Sequence, residues 1–268
     1  MTQDQPGQRP QFDTSVASIA RIYDYWLGGK DNFKADREAA EQMIQQYPDI
    51  VTGVRKNRAF LGRAVHYLAA EAGIRQFLDI GTGLPSSNNT HEVAQRAAPE
   101  SRIVYVDNDP IVLSHAQALL TSTREGACAY IDADLRDAGK ILQDAADTLD
   151  FGRPVAVCLI MVLQFIAEED HPGQIVRTLM DAVPPGSYLT IAHPASDVDL
   201  GVAPAFRQLN TRMGSTQVVA RSHQQITRFF DGLDMVDPGL VQLHRWRPGP
   251  GADTTRPLAA YGGVARKP

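Results

Sequence analysis

The sequence predicts a doubly wound α/β fold, a mostly parallel β-sheet with helices on both faces, preceded by an N-terminal helical cap. Two observations lead to this prediction. From residue 76 onward, short apolar runs alternate with helical segments, which is the pattern of βαβ units. Before residue 76, three segments with helical spacing of apolar residues follow one another without a strand.

Composition places the chain among ordinary globular proteins. It has 268 residues, of which 43% are hydrophobic and 21% charged, enough apolar surface for a sizeable core. The formal net charge of -5 and the pI of about 5.8 give no overall attraction to nucleic acid or to anionic lipid, so neither partner is expected. The longest apolar run, residues 155–163, is too short to span a membrane, and no signal peptide is recognisable. We therefore expect a cytoplasmic protein.

The chain divides into three parts. Residues 1–11, rich in Gln and Pro, are predicted to be a disordered tail, residues 12–75 the helical cap, and residues 76–268 the α/β domain. The predicted strands are 77–80, 103–106, 127–131, 155–161, 188–192, 235–243 and 258–264. The predicted helices are 15–27, 33–46, 52–72, 88–98, 110–120, 135–149, 173–183 and 222–230. Because no helix separates the last two strands, they are expected to close the sheet edge as a pair.

Two cysteines, Cys128 and Cys158, fall inside predicted strands. Neither has a CxxC partner or a histidine neighbour, so we expect buried thiols and no metal site.

The segment 77–87 joins the first strand to a glycine turn and then to a helix. In open α/β sheets, ligands bind at this carboxyl end of the strand. Gly81 and Gly83 lack a Cβ and so allow a tight turn and close approach of a ligand to the backbone. Ser86 occupies the position where a dinucleotide fingerprint requires a third glycine, which weakens a pyrophosphate interpretation. Asp79, just before the turn, suits a cationic amino group instead.

Two further acids end the second and third strands. Asp107 lies 24 residues after Gly83, near the spacing at which a carboxylate binds a ribose diol. Asp134 is positioned to accept from an adenine amine while the Leu135 N–H donates to the ring; Asp132 is an alternative for the same role. Together the three strand ends predict a site for a nucleoside that carries an amino-acid tail.

With these residues the chain resembles the class I S-adenosylmethionine-dependent methyltransferases, and more narrowly a bacterial family of S-adenosyl methyltransferases long catalogued as a domain of unknown function. The narrower resemblance rests on residues 21–32, 77–85, 89–95 and 105–110. It implies a seven-stranded sheet whose last strand is antiparallel, S-adenosylmethionine as the cofactor, and an unidentified acceptor that we expect to be a small molecule. The cofactor shell that it implies is Asp79, Gly81, Gly83, Asp107, Asn108, Asp134 and Leu135.

The segment 23–33 gathers polar and aromatic side chains around the Gly28–Gly29 pair. We expect it to close over the cofactor or to line the acceptor pocket, since paired glycines give a lid its flexibility. The candidate residues are Tyr23, Asp24, Lys30, Asp31 and Asn32. The alternative is that Tyr23 and Trp26 are core residues while Lys30 and Asp31 form a solvated loop pair.

A general base is required only if the acceptor must lose a proton. His193, after the fifth strand, is the candidate catalytic residue, and Gln164, Glu168 and His171 follow the fourth strand at the same sheet edge. Two other functions remain open at this point. A protein that binds S-adenosylmethionine without transferring methyl is one, and an NAD-dependent oxidoreductase, disfavoured by Ser86 and the chain's last two strands, is the other.

Overall fold

A computed structural model describes residues 13–119, 121–211 and 217–268. The helices of this part of the chain are α1 (Ile19–Leu27), α2 (Lys34–Gln46), α3 (Ile50–His66), α4 (Thr90–Ala97), α5 (Pro110–Leu119), α6 (Ala138–Ala145), α7 (Pro172–Asp181), α8 (Val202–Asn210) and α9 (His223–Thr227). The strands are β1 (Gln76–Ile80), β2 (Arg102–Asp107), β3 (Ala127–Asp132), β4 (Ala156–Ile160), β5 (Tyr188–Pro194), β6 (Asp234–Met235), β7 (Val241–Gln242) and β8 (Ala260–Arg266). The tail predicted for residues 1–11 lies outside the described residues.

All the strands form one mixed sheet. Their order is β3-β2-β1-β4-β5-β8-β6, and β7 also pairs with β8. The first five strands are parallel and β8 is antiparallel to β5, so the predicted doubly wound, mostly parallel fold is confirmed. Since β1 is central, with β2 on one side and β4 on the other, the carboxyl ends of these three strands open onto one edge.

The sheet has eight strands in the described residues, where the resemblance implied seven. The predicted strand 235–243 is two short strands, because a turn at Gly239, whose φ is +85°, interrupts it. Both short strands pair with β8, so the sheet edge closes in antiparallel fashion as expected.

Each face of the sheet has its own apolar core. On one face, side chains such as Leu78 and Leu159 pack with α6, α7 and α9. On the other face, Phe60 and Leu61 of α3 share a core with Phe77 of β1. The third helix of the predicted cap therefore packs directly on the sheet; the boundary at residue 75 stays a prediction.

A third apolar cluster forms a roof above the carboxyl edge of the sheet. It joins Ile22 and Trp26 of α1 and Met43 of α2 to Phe206 and Leu209 of α8. The sequence pattern did not predict α8, whose apolar residues pack in this cluster. Chain segments more than 160 residues apart thus meet in this roof.

A buried ion pair holds α1 to α2. Arg21 Nε donates to Asp36 Oδ2 at 2.8 Å, and Asp36 also accepts from the backbone N–H groups of Ser18 and Phe33. Three donors for one carboxylate offset the cost of its burial. Among the described helices, none is both long enough and apolar enough to cross a bilayer.

Candidate functional site

A cavity of about 860 Å³ lies between the carboxyl edge of the sheet and the helical roof. Small-molecule sites have volumes of roughly 300–1,000 Å³, so this cavity lies in the upper part of that range. All seven residues of the implied cofactor shell line it: Asp79, Gly81, Gly83, Asp107, Asn108, Asp134 and Leu135. Tyr23, Asp24 and Gln164 line it as well.

The glycine turn has the backbone conformation predicted for it. Gly81 has φ +77° and Gly83 has φ +66°, both in the left-handed region that favours glycine. A Cβ on Gly81 would lie 2.4 Å from Val162 Cγ2, so the loop after β4 packs directly on the turn. Nothing lies within 4 Å of a Cβ placed on Gly83, which lines the cavity.

Asp79 is a buried carboxylate at the end of β1. Its Oδ2 accepts from the Thr90 hydroxyl at 2.6 Å, at the first residue of α4. Burial raises the pKa of Asp79 to about 6, although the Thr90 hydroxyl and the nearby Arg58 guanidinium both act to lower it. A cation bound beside Asp79 would favour the ionised form. No sequence motif points to Thr90, because its role depends on a contact between two elements of the fold.

Asp107 connects the ends of two strands. Its Oδ2 accepts the Gly83 N–H at 2.9 Å and its Oδ1 accepts the Asp109 N–H at 3.0 Å. Burial raises the pKa of Asp107, and these two backbone donors oppose that shift. A carboxylate has about four acceptor directions, so each oxygen retains one for a ligand hydroxyl.

Asp134 lines the cavity, whereas Asp132, the alternative candidate for the adenine-binding role, is exposed and does not line it. Asn108 Nδ2 donates to Asp134 Oδ2 at 3.1 Å, and Arg136 Nη1 contacts both carboxylate oxygens at 3.1–3.2 Å. Arg136 also donates to Asp170 at 2.8 Å. An adenine amine that binds Asp134 must therefore replace Arg136 Nη1 at one oxygen.

Arg58 and Ser86 also line the cavity, although neither was predicted from the sequence to be a site residue. Arg58 Nη2 donates to the backbone oxygens of Ser87 and Asn88 at 3.1 Å, so α3 brings a cation to the glycine turn. The Ser86 hydroxyl oxygen is buried and has no hydrogen-bond partner among the described residues. The two side chains are suited to an anionic group next to Asp79.

The residues predicted to form a lid divide into two groups. Tyr23 and Asp24 line the cavity, but Lys30, Asp31 and Asn32 do not. Asp24 Oδ2 instead accepts from the Asp31 N–H and from Asn32 Nδ2, both at 2.9 Å, which folds the loop onto the end of α1. A Cβ on Gly29 would lie 1.8 Å from Asp24 Oδ1, so this close approach requires glycine.

Trp26 is a core residue, as the alternative interpretation held. Its side chain is buried and its indole N–H donates to the Ala40 carbonyl at 3.3 Å. Tyr23 has a mixed position, because its hydroxyl contacts Asn57 while its ring lines the cavity.

His193 does not line the cavity, and its side chain is fully buried. Nδ1 donates to the Pro194 carbonyl at 2.9 Å, while Nε2 accepts from Arg221 Nη1 at 2.9 Å. Burial lowers the pKa of His193 to about 3. Because both ring nitrogens are engaged by other protein groups, this geometry argues against the base role predicted for His193. Arg221 also donates to two backbone oxygens and to Glu168. His193 is therefore one of the acceptors that stabilise this buried guanidinium.

Both cysteines are free thiols, Cys158 buried and Cys128 partly so. Within the described ranges, no group of three or more His, Cys, Asp or Glu side chains is arranged to hold a metal ion.

Comparison with known proteins agrees with this architecture. The S-adenosyl methyltransferase family matches residues 5–268. The solved structure of a DUF574 family protein from Streptomyces avermitilis MA-4680 is 48% identical and has a TM-score of 0.92 over 96% of this chain and 99% of its own. A "putative methyltransferase" from Thermobifida fusca YX is 38% identical, with a TM-score of 0.88 over 95% and 96% of the two chains.

More distant structures share the fold alone. An O-methyltransferase family protein from Burkholderia thailandensis is 13% identical, with a TM-score of 0.53 over 83% of this chain and 61% of its own. No curated protein matches the sequence. The matches that do exist favour neither an NAD-dependent oxidoreductase nor a protein that only binds the cofactor. The chain belongs to the S-adenosyl methyltransferase family, and its cofactor is S-adenosylmethionine.

Proposed function

We propose that the protein transfers the methyl group of S-adenosylmethionine to a small molecule held in the cavity, and that the three strand-end carboxylates bind the cofactor. The observation that carries the proposal is that Asp79, Asp107 and Asp134, from three adjacent strands, line one cavity together with Gly83. When bound, the cofactor supplies a methyl group on a sulfonium, which leaves the protein mainly the task of positioning.

The described residues fit such a cofactor. The open side of Gly83 leaves space for a ligand against the backbone, and the unpartnered Ser86 hydroxyl offers a hydrogen bond that the protein itself does not use. In this proposal Asp79 binds the ammonium group, and Arg58 with Ser86 binds the carboxylate of the amino-acid tail. Asp107 binds the ribose hydroxyls.

The adenine subsite is the third part of the proposal. Asp134 accepts from the adenine amine, the Leu135 N–H donates to the ring, and Asn108 fixes the Asp134 carboxylate through its 3.1 Å hydrogen bond. The proposal includes no contribution from Lys30, Asp31 or Asn32 beyond folding the loop after α1.

A small-molecule acceptor and a cytoplasmic location complete the proposal. The roof encloses the cavity with apolar side chains, which supports a small acceptor over a macromolecule such as nucleic acid. The free thiols of Cys128 and Cys158 are compatible with the reducing cytoplasm.

Calorimetry with S-adenosylhomocysteine, 5′-methylthioadenosine and NAD tests the cofactor assignment. Methylthioadenosine keeps the nucleoside but lacks the amino-acid tail, so it separates the two halves of the subsite. We expect Arg58→Leu to weaken S-adenosylhomocysteine about tenfold while methylthioadenosine binds as before. Arg55→Leu, an exposed position on the same helix, is the matched control.

Tight binding of NAD, or failure of S-adenosylhomocysteine to bind, contradicts the proposal. If Arg58→Leu lowers the affinities for S-adenosylhomocysteine and methylthioadenosine equally, the assignment of Arg58 to the carboxylate is wrong, but the cofactor assignment is not affected. Mass spectrometry can detect whether S-adenosylhomocysteine forms from S-adenosylmethionine in the presence of small-molecule acceptors. Its formation distinguishes a methyltransferase from a protein that binds the cofactor without transferring the methyl group.

A further inference from the structure

We propose that the roofed part of the cavity is an acceptor chamber for an uncharged, largely apolar molecule whose O–H or N–H groups donate to the side-chain oxygens of Asn57 and Gln164. The acceptor chamber is the region lined by Tyr23, Trp26, Val54, Asn57, Gln164 and Phe206. The inference rests on the proposed function and specifies its acceptor class.

Asn57 interrupts an apolar face of α3. It lies between Val54 and Leu61 at helical spacing, and all three line the cavity. Its Nδ2 donates to the Tyr23 hydroxyl oxygen at 2.7 Å, and that hydroxyl faces the Val54 carbonyl at 3.4 Å. This orientation leaves Oδ1 as the free end of the amide. Asn57 is only 3% exposed, and Oδ1 has no partner among the described residues.

Gln164 provides a second oxygen of the same kind. It lies in the short turn after β4, is 7% exposed, and its Oε1 also lacks a partner within the described ranges. Two residues before it, Val162 packs against Gly81. Gln164 thus follows the segment that packs on the glycine turn, and it lines the same cavity as Asn57.

Buried amide oxygens without a hydrogen bond are rare, because each one loses its hydration without compensation. Two of them on residues that line one cavity suggest a ligand that supplies the donors; because neither oxygen is exposed in the ligand-free protein, each side chain must turn to present it. An amide oxygen accepts a hydrogen bond from a hydroxyl or amine but gives nothing to an acceptor group such as an ether.

The charges around the chamber disfavour an ionic acceptor. Of the described cavity residues, the roof helices and α3 contribute two charged side chains, and both are engaged elsewhere. Arg58 donates to the Ser87 and Asn88 carbonyls, while Asp24 Oδ2 accepts from Asp31 and Asn32. The remaining lining of the chamber is mostly apolar, contributed by α1, α3 and α8. An anionic acceptor would be desolvated there without a counterion, because Arg58 pairs with the cofactor carboxylate in the proposed function, and a cationic one would have to displace the donors that hold Asp24.

Three naphthalenes of similar size test this recognition: 2-naphthol has a donor, 2-methoxynaphthalene has none, and 2-naphthoate is an anion. Their affinities are measured by calorimetry on the full chain, with and without S-adenosylhomocysteine. We expect 2-naphthol to bind about five- to tenfold more tightly than the other two. Because 2-naphthol has a single O–H and donates to one of the two oxygens, either Asn57→Leu or Gln164→Leu should reduce this preference while leaving S-adenosylhomocysteine affinity unchanged. Gln45→Leu, exposed on α2, is the control.

The melting temperature gives a second readout. Gln164→Leu replaces an unpaired amide oxygen by an apolar group and should leave the melting temperature unchanged or raise it, whereas a purely structural amide would lower it. Asn57→Leu also loses the hydrogen bond to Tyr23, so only its ligand preference is compared. The inference is overturned if 2-naphthol shows no preference, if 2-naphthoate binds best, or if neither substitution changes the preference. If the protein prefers 2-naphthol but does not bind S-adenosylhomocysteine, the proposed function is contradicted. The recognition of donors by the acceptor chamber would still be supported.

Discussion

Asp107 Oδ2 accepts the backbone N–H of Gly83 at 2.9 Å, so the end of β2 holds the glycine turn that follows β1. One carboxylate thus shapes the turn and offers its remaining acceptor directions to a ligand. The two groups proposed to contact the cofactor here are therefore held together in the absence of a ligand.

Asp107→Ala should reduce affinity for both S-adenosylhomocysteine and methylthioadenosine by about 10- to 100-fold. The substitution removes the proposed ribose contacts and leaves the Gly83 N–H without its acceptor. Calorimetry measures both affinities. Asp132→Ala, at the exposed end of β3, is the control and should change them less than about twofold. Unchanged nucleoside affinity in Asp107→Ala would remove the ribose assignment.

The affinity for S-adenosylhomocysteine should fall as the pH drops through about 6. The pKa of Asp79 is about 6 in the free protein, and only the ionised carboxylate pairs with the ligand ammonium, so binding must first remove a proton at lower pH. The limiting slope is about tenfold per pH unit. Asp79→Asn should bind S-adenosylhomocysteine more weakly, and its affinity should not show this pH dependence between pH 5 and 8. An identical slope in wild type and Asp79→Asn would assign the titration to another group.

The same substitution should stabilise the ligand-free protein. A carboxyl whose folded pKa is raised binds its proton more tightly in the folded state, so it lowers stability as the pH rises from about 4 to 6 and stays unfavourable above that. Asp79→Asn should therefore increase the free energy of unfolding at pH 7.5 by about 1–3 kcal/mol, measured by urea denaturation. A loss of stability would mean that the Thr90 hydrogen bond outweighs the burial of charge.

Gly83→Ala and Gly73→Ala form a matched pair, because both positions have positive φ and space for a Cβ. Each should lose about 1–2 kcal/mol of stability from the left-handed backbone alone. Only Gly83→Ala should also weaken the binding of S-adenosylhomocysteine, since its new methyl group would occupy the proposed cofactor subsite. Equal affinities in the two variants would show that Gly83 serves the turn and not the ligand.

His193→Ala should destabilise the protein by about 2–4 kcal/mol with little change in S-adenosylhomocysteine affinity, because it removes an acceptor from the buried Arg221 and a donor from Pro194. Burial holds the folded pKa near 3, so the unfolded chain takes up this proton below about pH 6.5 and stability is lost as the pH falls towards 3. Thermal melts from pH 7.5 to 5 should show less of this decline in His193→Ala. Full stability of the variant at both pH values would contradict the structural role.

The local pattern was sufficient for the elements whose apolar runs are continuous. Strands β1, β2, β4 and β5 are nearly fully buried, so their sequences alone distinguish them from surface segments. The start of α6 was predicted three residues too early. Asp137 accepts the Lys140 N–H and caps the helix there, which leaves Asp134 and Leu135 in the turn that lines the cavity.

The sequence by itself determined the doubly wound sheet, the glycine turn and the acids at three strand ends, because in a parallel sheet residues at the ends of neighbouring strands necessarily meet at one edge. Only the tertiary structure decided the rest. It buried His193 against Arg221, assigned Asp31 and Asn32 to folding a loop, and brought Asn57 and Gln164 from distant parts of the chain to the same cavity. Such contacts depend on how α3, α8 and the loop after β4 pack together, and helical or strand periodicity carries no information about that packing.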